Sequence, residues 1–103
     1  MAANKLTEQE IQQELRLVNE VLPAQQQWRV VAGKLVKQFV FKDFVQAFGW
    51  MTQVAMHAEN MNHHPEWSNV WNKVDVALVT HDVDGLSELD FKMIKRMEQL
   101  ISG

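Results

Sequence analysis

Two pairs of short β-rich runs, separated by one long helical stretch, constrain the fold of this chain more than any other feature. The first pair covers residues 28–32 and 35–41. Gly33 and Lys34 lie between these runs, and a glycine followed by one further residue suits a tight hairpin turn because glycine readily adopts positive φ. The pattern therefore predicts an antiparallel hairpin in the first half of the chain.

The second pair covers residues 69–71 and 74–80, with Asn72 and Lys73 between them as the predicted turn. In its longer run every second side chain is large and apolar: Val74, Val76 and Leu78. This period of two is typical of a strand with one buried face. A second hairpin is therefore predicted.

Three helices are predicted around these hairpins. Each carries a capping residue followed three positions later by an acid or amide: Thr7 with Glu10, Asp43 with Gln46, and Ser87 with Asp90. Pro23 ends the first helix, and Pro65 limits the second to about residue 62. Apolar side chains then recur at helical spacing: Ile11, Leu15, Val18 and Leu22 in the first helix, Phe44, Phe48, Met51, Ala55 and Ala58 in the second, and Ile94, Met97 and Ile101 in the third.

The order of elements is therefore α-β-β-α-β-β-α with short links. An α+β fold is predicted, with a four-stranded antiparallel sheet and three helices packed on one face. With 103 residues, 47% of them apolar and 22% charged, the chain suits a single globular domain over 1–103.

Composition excludes several classes of protein. The chain has no cysteine, which rules out a disulfide scaffold, a thiol nucleophile and a thiolate metal site. Its net charge of −3 and the lack of a basic run argue against direct nucleic-acid binding. Residues 1–10 lack a signal-peptide core, and no apolar run reaches membrane-spanning length. A soluble cytoplasmic protein without membrane contact is expected.

Histidines are the best candidates for chemistry. His63, His64 and His81 fall at predicted element boundaries, where scaffold-held loops often carry site residues. Imidazole titrates near neutral pH and can donate or accept a proton there. Zinc spacing motifs are absent and adjacent histidines point in different directions, so no metal is expected. No serine lies in a nucleophile motif, and a purely structural role for each histidine remains the alternative.

Longer segments resemble one known family. They lie at 39–44, 47–51, 62–67, 69–74, 80–81 and 85–88, and the most specific is H-H-P-E-W at 63–67 followed by T-H at 80–81. In consistent order over about 28–100, these segments resemble the pterin-4a-carbinolamine dehydratases. The resemblance implies the same α+β fold and a hydro-lyase without cofactor, acting on a 4a-hydroxytetrahydropterin in tetrahydrobiopterin recycling.

The resemblance also implies a site. His63, His64 and His81 would be catalytic, and five further residues would bind substrate: Glu59, Asn62, Trp67, Thr80 and Asp90. We expect His63 and His81 to act as general acids for the departing hydroxyl, with His64 holding the ring and assisting proton removal at N5. Asn62 replaces a frequent family aspartate and Leu89 a basic residue, so tuning of the site differs.

A protein-binding module is the alternative function, alone or beside catalysis. The family resemblance implies homodimers or homotetramers and a possible transcription-factor partner, which allows a nuclear location. The exposed apolar positions of the helix at 43–60 would form that surface. A domain without either function is the third reading.

Overall fold

The computed structural model describes residues 3–102. Within them the helices are α1 (Glu8–Asn19), α2 (Phe44–Met61) and α3 (Glu88–Ser102). The strands are β1 (Arg29–Val31), β2 (Lys34–Val40), β3 (Glu66–Val70) and β4 (Lys73–Leu78). They form one antiparallel sheet in the order β1-β2-β4-β3. Within this range no helix is both long and apolar enough to cross a bilayer.

The predicted α+β class and the order of elements are confirmed. Local capping explains why the helices begin where they do. The Thr7 hydroxyl accepts from the backbone N–H of Glu10, whose carboxylate accepts from the N–H of Thr7. Asp43 accepts from the N–H of Gln46 at 2.9 Å. Each contact gives a partner to a backbone donor that the first helical turn would otherwise leave unpaired.

The first hairpin turn lies one residue earlier than predicted. Val31 pairs with Lys34, which leaves Ala32 and Gly33 as the two turn residues. Both have positive φ, 51° and 78°. A two-residue turn with positive φ at both positions matches the twist of the strands that it joins. In this turn Gly33 takes the second position, whereas the prediction had it in the first.

The second hairpin also differs from its prediction. Val70 pairs with Lys73, so Trp71 and Asn72 form the turn and the predicted turn at 72–73 is wrong by one residue. The first strand of this hairpin starts at Glu66 rather than at residue 69, and the second ends at Leu78 rather than at residue 80. The earlier start places Glu66 opposite Ala77, near the end of β4.

One face of the sheet is covered by the helices. Its buried side chains alternate along the two central strands: Leu35, Lys37 and Phe39 in β2, and Val74, Val76 and Leu78 in β4. The opposite face carries exposed polar side chains such as Gln38 and Asp75, together with the half-buried Val36 and Ala77. This arrangement confirms the predicted alternation in β4 and shows which parity of β2 faces the core.

Helix α2 buries a different stripe from the one predicted. The buried positions are Ala47, Trp50, Val54 and Ala58. Phe44 and Phe48 of the predicted apolar stripe are 48% and 55% exposed, so these two residues lie outside the core. Ile101 of α3 is likewise exposed at 44%. Helix α2 is apolar on two sides, and periodicity alone does not distinguish which side meets the sheet.

A buried charge lies between the sheet and α3. Lys37 is 8% exposed, and its ammonium group donates to the carboxylate of Glu98. The same carboxylate accepts from Nε1 of Trp28 at 2.9 Å. The ammonium group also lies 4.4 Å from the ring centroid of Phe39. The charge is therefore paired, hydrogen-bonded and placed over an aromatic face, which offsets its desolvation.

Several chain segments meet at one end of the sheet, which we call the histidine end. The end of α2, the start of β3, the end of β4 and the start of α3 all lie there, together with the β1–β2 turn. Asn62 terminates α2 in the left-handed conformation, with φ of 51°. This reversal directs the chain from the helix into the loop that carries His63 and His64.

Candidate functional site

A buried hydrogen-bond network supports His63. The imidazole Nε2 donates to Oδ1 of Asp90 at 2.7 Å, and the two side chains are 8% and 0% exposed. Oδ2 of Asp90 accepts from the Thr80 hydroxyl at 2.8 Å and from the Ser87 backbone N–H at 3.0 Å. The Ser87 hydroxyl lies 2.7 Å from that of Thr80. The Asp90 carboxylate is therefore satisfied, and it holds the His63 ring in one orientation.

This network derives from the cap of α3. Ser87 precedes the helix, its hydroxyl accepts from the N–H of Leu89, and Asp90 reaches back to the N–H of Ser87. The predicted capping pair is confirmed. The acid that completes the cap also bonds His63, so one carboxylate both starts a helix and orients a site residue.

His64 has a different environment. Its side chain is 56% exposed, and its Nε2 donates to Oε1 of Glu59 at 2.9 Å. Glu59 lies in the last turn of α2 and is itself 82% exposed. Since adjacent residues outside a helix face different directions, His63 points into the protein while His64 points to solvent.

His81 follows the end of β4 and is bonded to Glu66 at the start of β3. Its Nε2 donates to Oε2 of Glu66 at 2.9 Å, and Nζ of Lys34 donates to Oε1 of the same carboxylate at 2.6 Å. The hydrogen bond from Lys34 is the largest cause of a lowered pKa for Glu66, followed by that from His81. Glu66 is therefore held ionised between two donors.

The three histidines share one geometry. Each bonds a carboxylate through Nε2, which places the proton on that nitrogen because an ionised carboxylate only accepts. No protein group in residues 3–102 bonds Nδ1 of any of them, and the buried unpaired polar atoms of that range do not include Nδ1 of His63. Each ring can therefore offer Nδ1 to a small molecule.

The three histidines and the carboxylates that they bond all lie at the histidine end, and we call this group of His63, His64, His81 and their carboxylates the histidine cluster. Asp90 connects His63 to Thr80, the residue before His81. Glu66, which bonds His81, follows His64 by two residues in the chain, and the bond between His64 and Glu59 is separate from the other two. His57, the fourth histidine, lies within α2 and takes no part in this network.

The remaining predicted substrate-binding residues occupy distinct places. Thr80 and Asp90 are buried and use their polar atoms within the network described above. Asn62 is exposed at the end of α2, beside His63. Trp67 is half-buried, and its ring lies 6.2 Å from that of Trp50 in the core. Direct contact of these residues with substrate stays a prediction.

Glu66 and Lys34 were missed by the sequence interpretation. Glu66 lies inside the H-H-P-E-W segment but was not among the predicted site residues, and the strand that it starts was predicted to begin at residue 69. Strand pairing that started at residue 66 would have placed its carboxylate near the end of β4 and hence near His81. For Lys34, the predicted turn at 33–34 removed it from β2.

Comparisons with known proteins agree on one family. The family model for pterin 4 alpha carbinolamine dehydratase matches residues 4–100. A "Putative pterin-4-alpha-carbinolamine dehydratase" of Jannaschia sp. (strain CCS1) is 59% identical over 75 residues, which are 71% of this chain and 76% of the relative. A Brucella ovis protein of the same name is 46% identical over 102 residues, covering 97% and 98% of the two chains.

A solved structure extends this agreement to the fold. The crystal structure of a transcriptional coactivator/pterin dehydratase from Brucella melitensis matches with a TM-score of 0.83 and 43% identity. The match covers 94% of this chain and 98% of the other. The family match, the sequence relatives and the shared fold lead to one conclusion. This chain belongs to the pterin 4 alpha carbinolamine dehydratase family.

Proposed function

We propose that this protein dehydrates a 4a-hydroxytetrahydropterin to the quinonoid dihydropterin by histidine acid–base catalysis. The observation that carries the proposal is the histidine cluster, in which three imidazoles at one end of the sheet are each oriented by a carboxylate through Nε2. Orientation by a hydrogen-bonded carboxylate is the usual way in which a protein presents the other ring nitrogen to a substrate.

The reaction needs two proton transfers. The C4a–O bond breaks as the departing hydroxyl takes a proton and leaves as water. The N5–H proton goes to a base, and the electron pair of that bond forms the C4a=N5 double bond. Nδ1 of a protonated imidazole supplies the first proton and Nδ1 of a neutral imidazole accepts the second, so the chemistry requires no group beyond histidines.

We propose one role for each ring, and its environment supports the assignment. His63, held by Asp90 in the interior, and His81, held by Glu66 at the surface, are proposed as acids for a hydroxyl that leaves from either face of the pterin. His64 is proposed to hold the ring and to assist proton removal at N5. Formation of the quinonoid product would place the enzyme in tetrahydrobiopterin recycling, in the cytoplasm.

The proposal is tested by measuring the rate of dehydration in the presence of a metal chelator. Purified protein should accelerate the dehydration of freshly prepared 4a-hydroxy-6-methyltetrahydropterin, and His64→Ala should lower kcat/KM by about 10²-fold or more. His57→Ala is the matched control, because it removes an imidazole outside the histidine cluster and should leave turnover unchanged. Folded wild-type protein without acceleration would refute the dehydratase, whereas equal rates in His64→Ala would remove only His64 from the mechanism.

Protein binding is the second candidate function, favoured by the outer face of α2. This face carries exposed apolar side chains: Phe44, Val45, Phe48 and Met56. Exposed apolar patches of this kind mark association surfaces. We propose that a second copy of the chain covers it, which would make the protein a homodimer or homotetramer. The name of the Brucella melitensis neighbour, a transcriptional coactivator, supports a transcription factor as the alternative partner.

A further inference from the structure

The open face of the sheet carries a shallow trough that adjoins the histidine cluster. Its volume is about 470 Å³, and none of the four histidines lines it. Glu66 belongs to both places, since its carboxylate bonds His81 and its side chain forms the near end of the trough. A molecule that is bound at the histidine cluster could therefore extend directly over the sheet.

Strand register determines what such an extension would meet. Glu66 lies beside Ala77, Ala77 beside Val36, and Val36 beside Arg29, in one row across all four strands. Three inter-strand spacings of about 4.8 Å separate the ends of this row, roughly 14 Å. The middle of the row is apolar and its far end is a guanidinium group. We call this row the aryl strip.

The charged groups along the trough differ in whether they have hydrogen-bond or ion-pair partners. The carboxylate of Glu66 is bonded by Lys34 and His81, and that of Asp75 accepts from Nε2 of Gln38 at 3.0 Å. Arg29 is exposed, and its guanidinium has no hydrogen bond or ion pair within residues 3–102. Arg29 therefore provides an unpaired positive charge at the end of the trough opposite the histidine cluster, whereas Asp75, in the next row along the strands, keeps a negative charge that is bonded only by the neutral amide of Gln38.

We infer that the trough is a subsite for the C6 substituent of the substrate, and that it favours a substituent with an aromatic ring ending in a carboxylate. This inference rests on the proposed dehydratase function. The ring would lie on Ala77 and Val36, and the carboxylate would pair with Arg29, whose planar fork suits carboxylates. Reduced folates carry a C6 substituent of this kind. That substituent is about as long as four extended amino-acid residues, which is close to the length of the aryl strip.

Paired binding measurements test the subsite. Calorimetric titration would compare 7,8-dihydrofolate with 6-methyl-7,8-dihydropterin, which have the same ring system but differ in the tail. Arg29→Gln should weaken dihydrofolate about threefold to fivefold relative to the dihydropterin, the size expected for an exposed ion pair. The loss should shrink as salt is raised. Arg29→Lys should restore part of it, because charge without the fork remains.

The matched control is Arg96→Gln. Arg96 lies on α3, away from the trough, and its removal changes the net charge by the same amount. If Arg96→Gln lowers the affinity ratio as much as Arg29→Gln does, or if Arg29→Gln leaves the ratio unchanged, the subsite is refuted. Measuring the dehydration of 4a-hydroxy-6-methyltetrahydropterin by wild-type protein distinguishes the two proposals. If the protein catalyses this dehydration but Arg29→Gln leaves the affinity ratio unchanged, the subsite alone is refuted.

Discussion

At the scale of single residues, Asp90 links folding to the candidate site. Its side chain is fully buried, and its two oxygens accept from His63, Thr80 and Ser87. Burial of a carboxylate is tolerable because each of these contacts replaces hydration that the carboxylate loses. The same contacts hold the His63 ring, so a change at Asp90 acts on stability and on the site together.

Removal of this carboxylate should be costly. Asp90→Ala leaves the buried Thr80 hydroxyl and the Ser87 N–H without their acceptor, and we expect the free energy of unfolding to fall by about 3 kcal/mol. Asp82→Ala, at an exposed position, should change it by less than about 0.5 kcal/mol. Urea unfolding followed by tryptophan fluorescence measures both, and equal midpoints for the two variants would contradict the structural importance of Asp90.

Lys34 should make the stability of the protein depend on pH. Folding lowers the pKa of Glu66 below its ordinary value of 4.5, with the Lys34 hydrogen bond as the main cause. The ionised carboxylate therefore adds stability above that ordinary value, and this stability is lost as the pH falls through the lowered folded pKa. The wild-type protein should be more stable than Lys34→Met at neutral pH, and the stabilities of the two proteins should converge in acid.

Thermal unfolding of both proteins at a series of pH values checks this behaviour. Lys92→Met serves as the charge-matched control, since Lys92 is exposed on α3 away from Glu66. A constant difference between wild type and Lys34→Met over the whole acid range would show that the ion pair does not contribute. The exposure of both partners predicts a small effect.

At the scale of elements, the hairpin turns carry backbone strain. Ala32 and Trp71 adopt positive φ, 51° and 52°, although a side chain disfavours that region. Tight pairing on both sides of each turn compels it: Val31 opposes Lys34, and Val70 opposes Lys73. Strand pairing therefore overrides local preference at these positions.

Relief of this strain should stabilise the protein. Ala32→Asn creates an Asn-Gly turn, and because asparagine tolerates the left-handed region we expect a gain of about 0.5–1 kcal/mol. Gly33→Ala should instead destabilise the protein by about 1 kcal/mol. This loss comes from backbone strain alone, because a Cβ at this position would meet no atom within 4 Å. Chemical denaturation of the two variants checks the pair, and a loss in Ala32→Asn would contradict the strain argument.

At the scale of the whole molecule, α2 is apolar on two sides. Its inner side packs against the sheet and α3 through Trp50 and Val54, while its outer side exposes Phe44 and Phe48, whose ring centroids lie 5.7 Å apart. A chain of 103 residues buries a limited core, so the proposed association, by covering the outer side, would add stability that the monomer lacks.

Introducing one charged side chain into the outer side of α2 tests whether the protein associates through it. Phe48→Asp should lower the molar mass measured by sedimentation velocity, because an aspartate would be buried without a partner in the proposed interface. Gln99→Asp, at an exposed position on α3, introduces the same charge elsewhere and should leave the mass unchanged. A Phe48→Asp protein with the mass of the wild type would exclude this face from the interface.

Short-range signals determined much of this protein from the sequence alone. Capping pairs such as Thr7 with Glu10 and Ser87 with Asp90 act within one helical turn, and the alternation in β4 reflects burial of one strand face. These patterns predicted the order of elements and the α+β class. The H-H-P-E-W segment with the later T-H indicated the family, which the comparisons confirmed.

Only the tertiary structure decided the features that depend on how elements meet. The partners of the histidines, Asp90 for His63 and Glu66 for His81, are 27 and 15 residues away in the chain, and strand register and helix placement bring them together. The burial of Trp50 rather than Phe48 depended on which side of α2 met the sheet. Periodicity describes each element by itself, whereas these contacts arise from packing between elements.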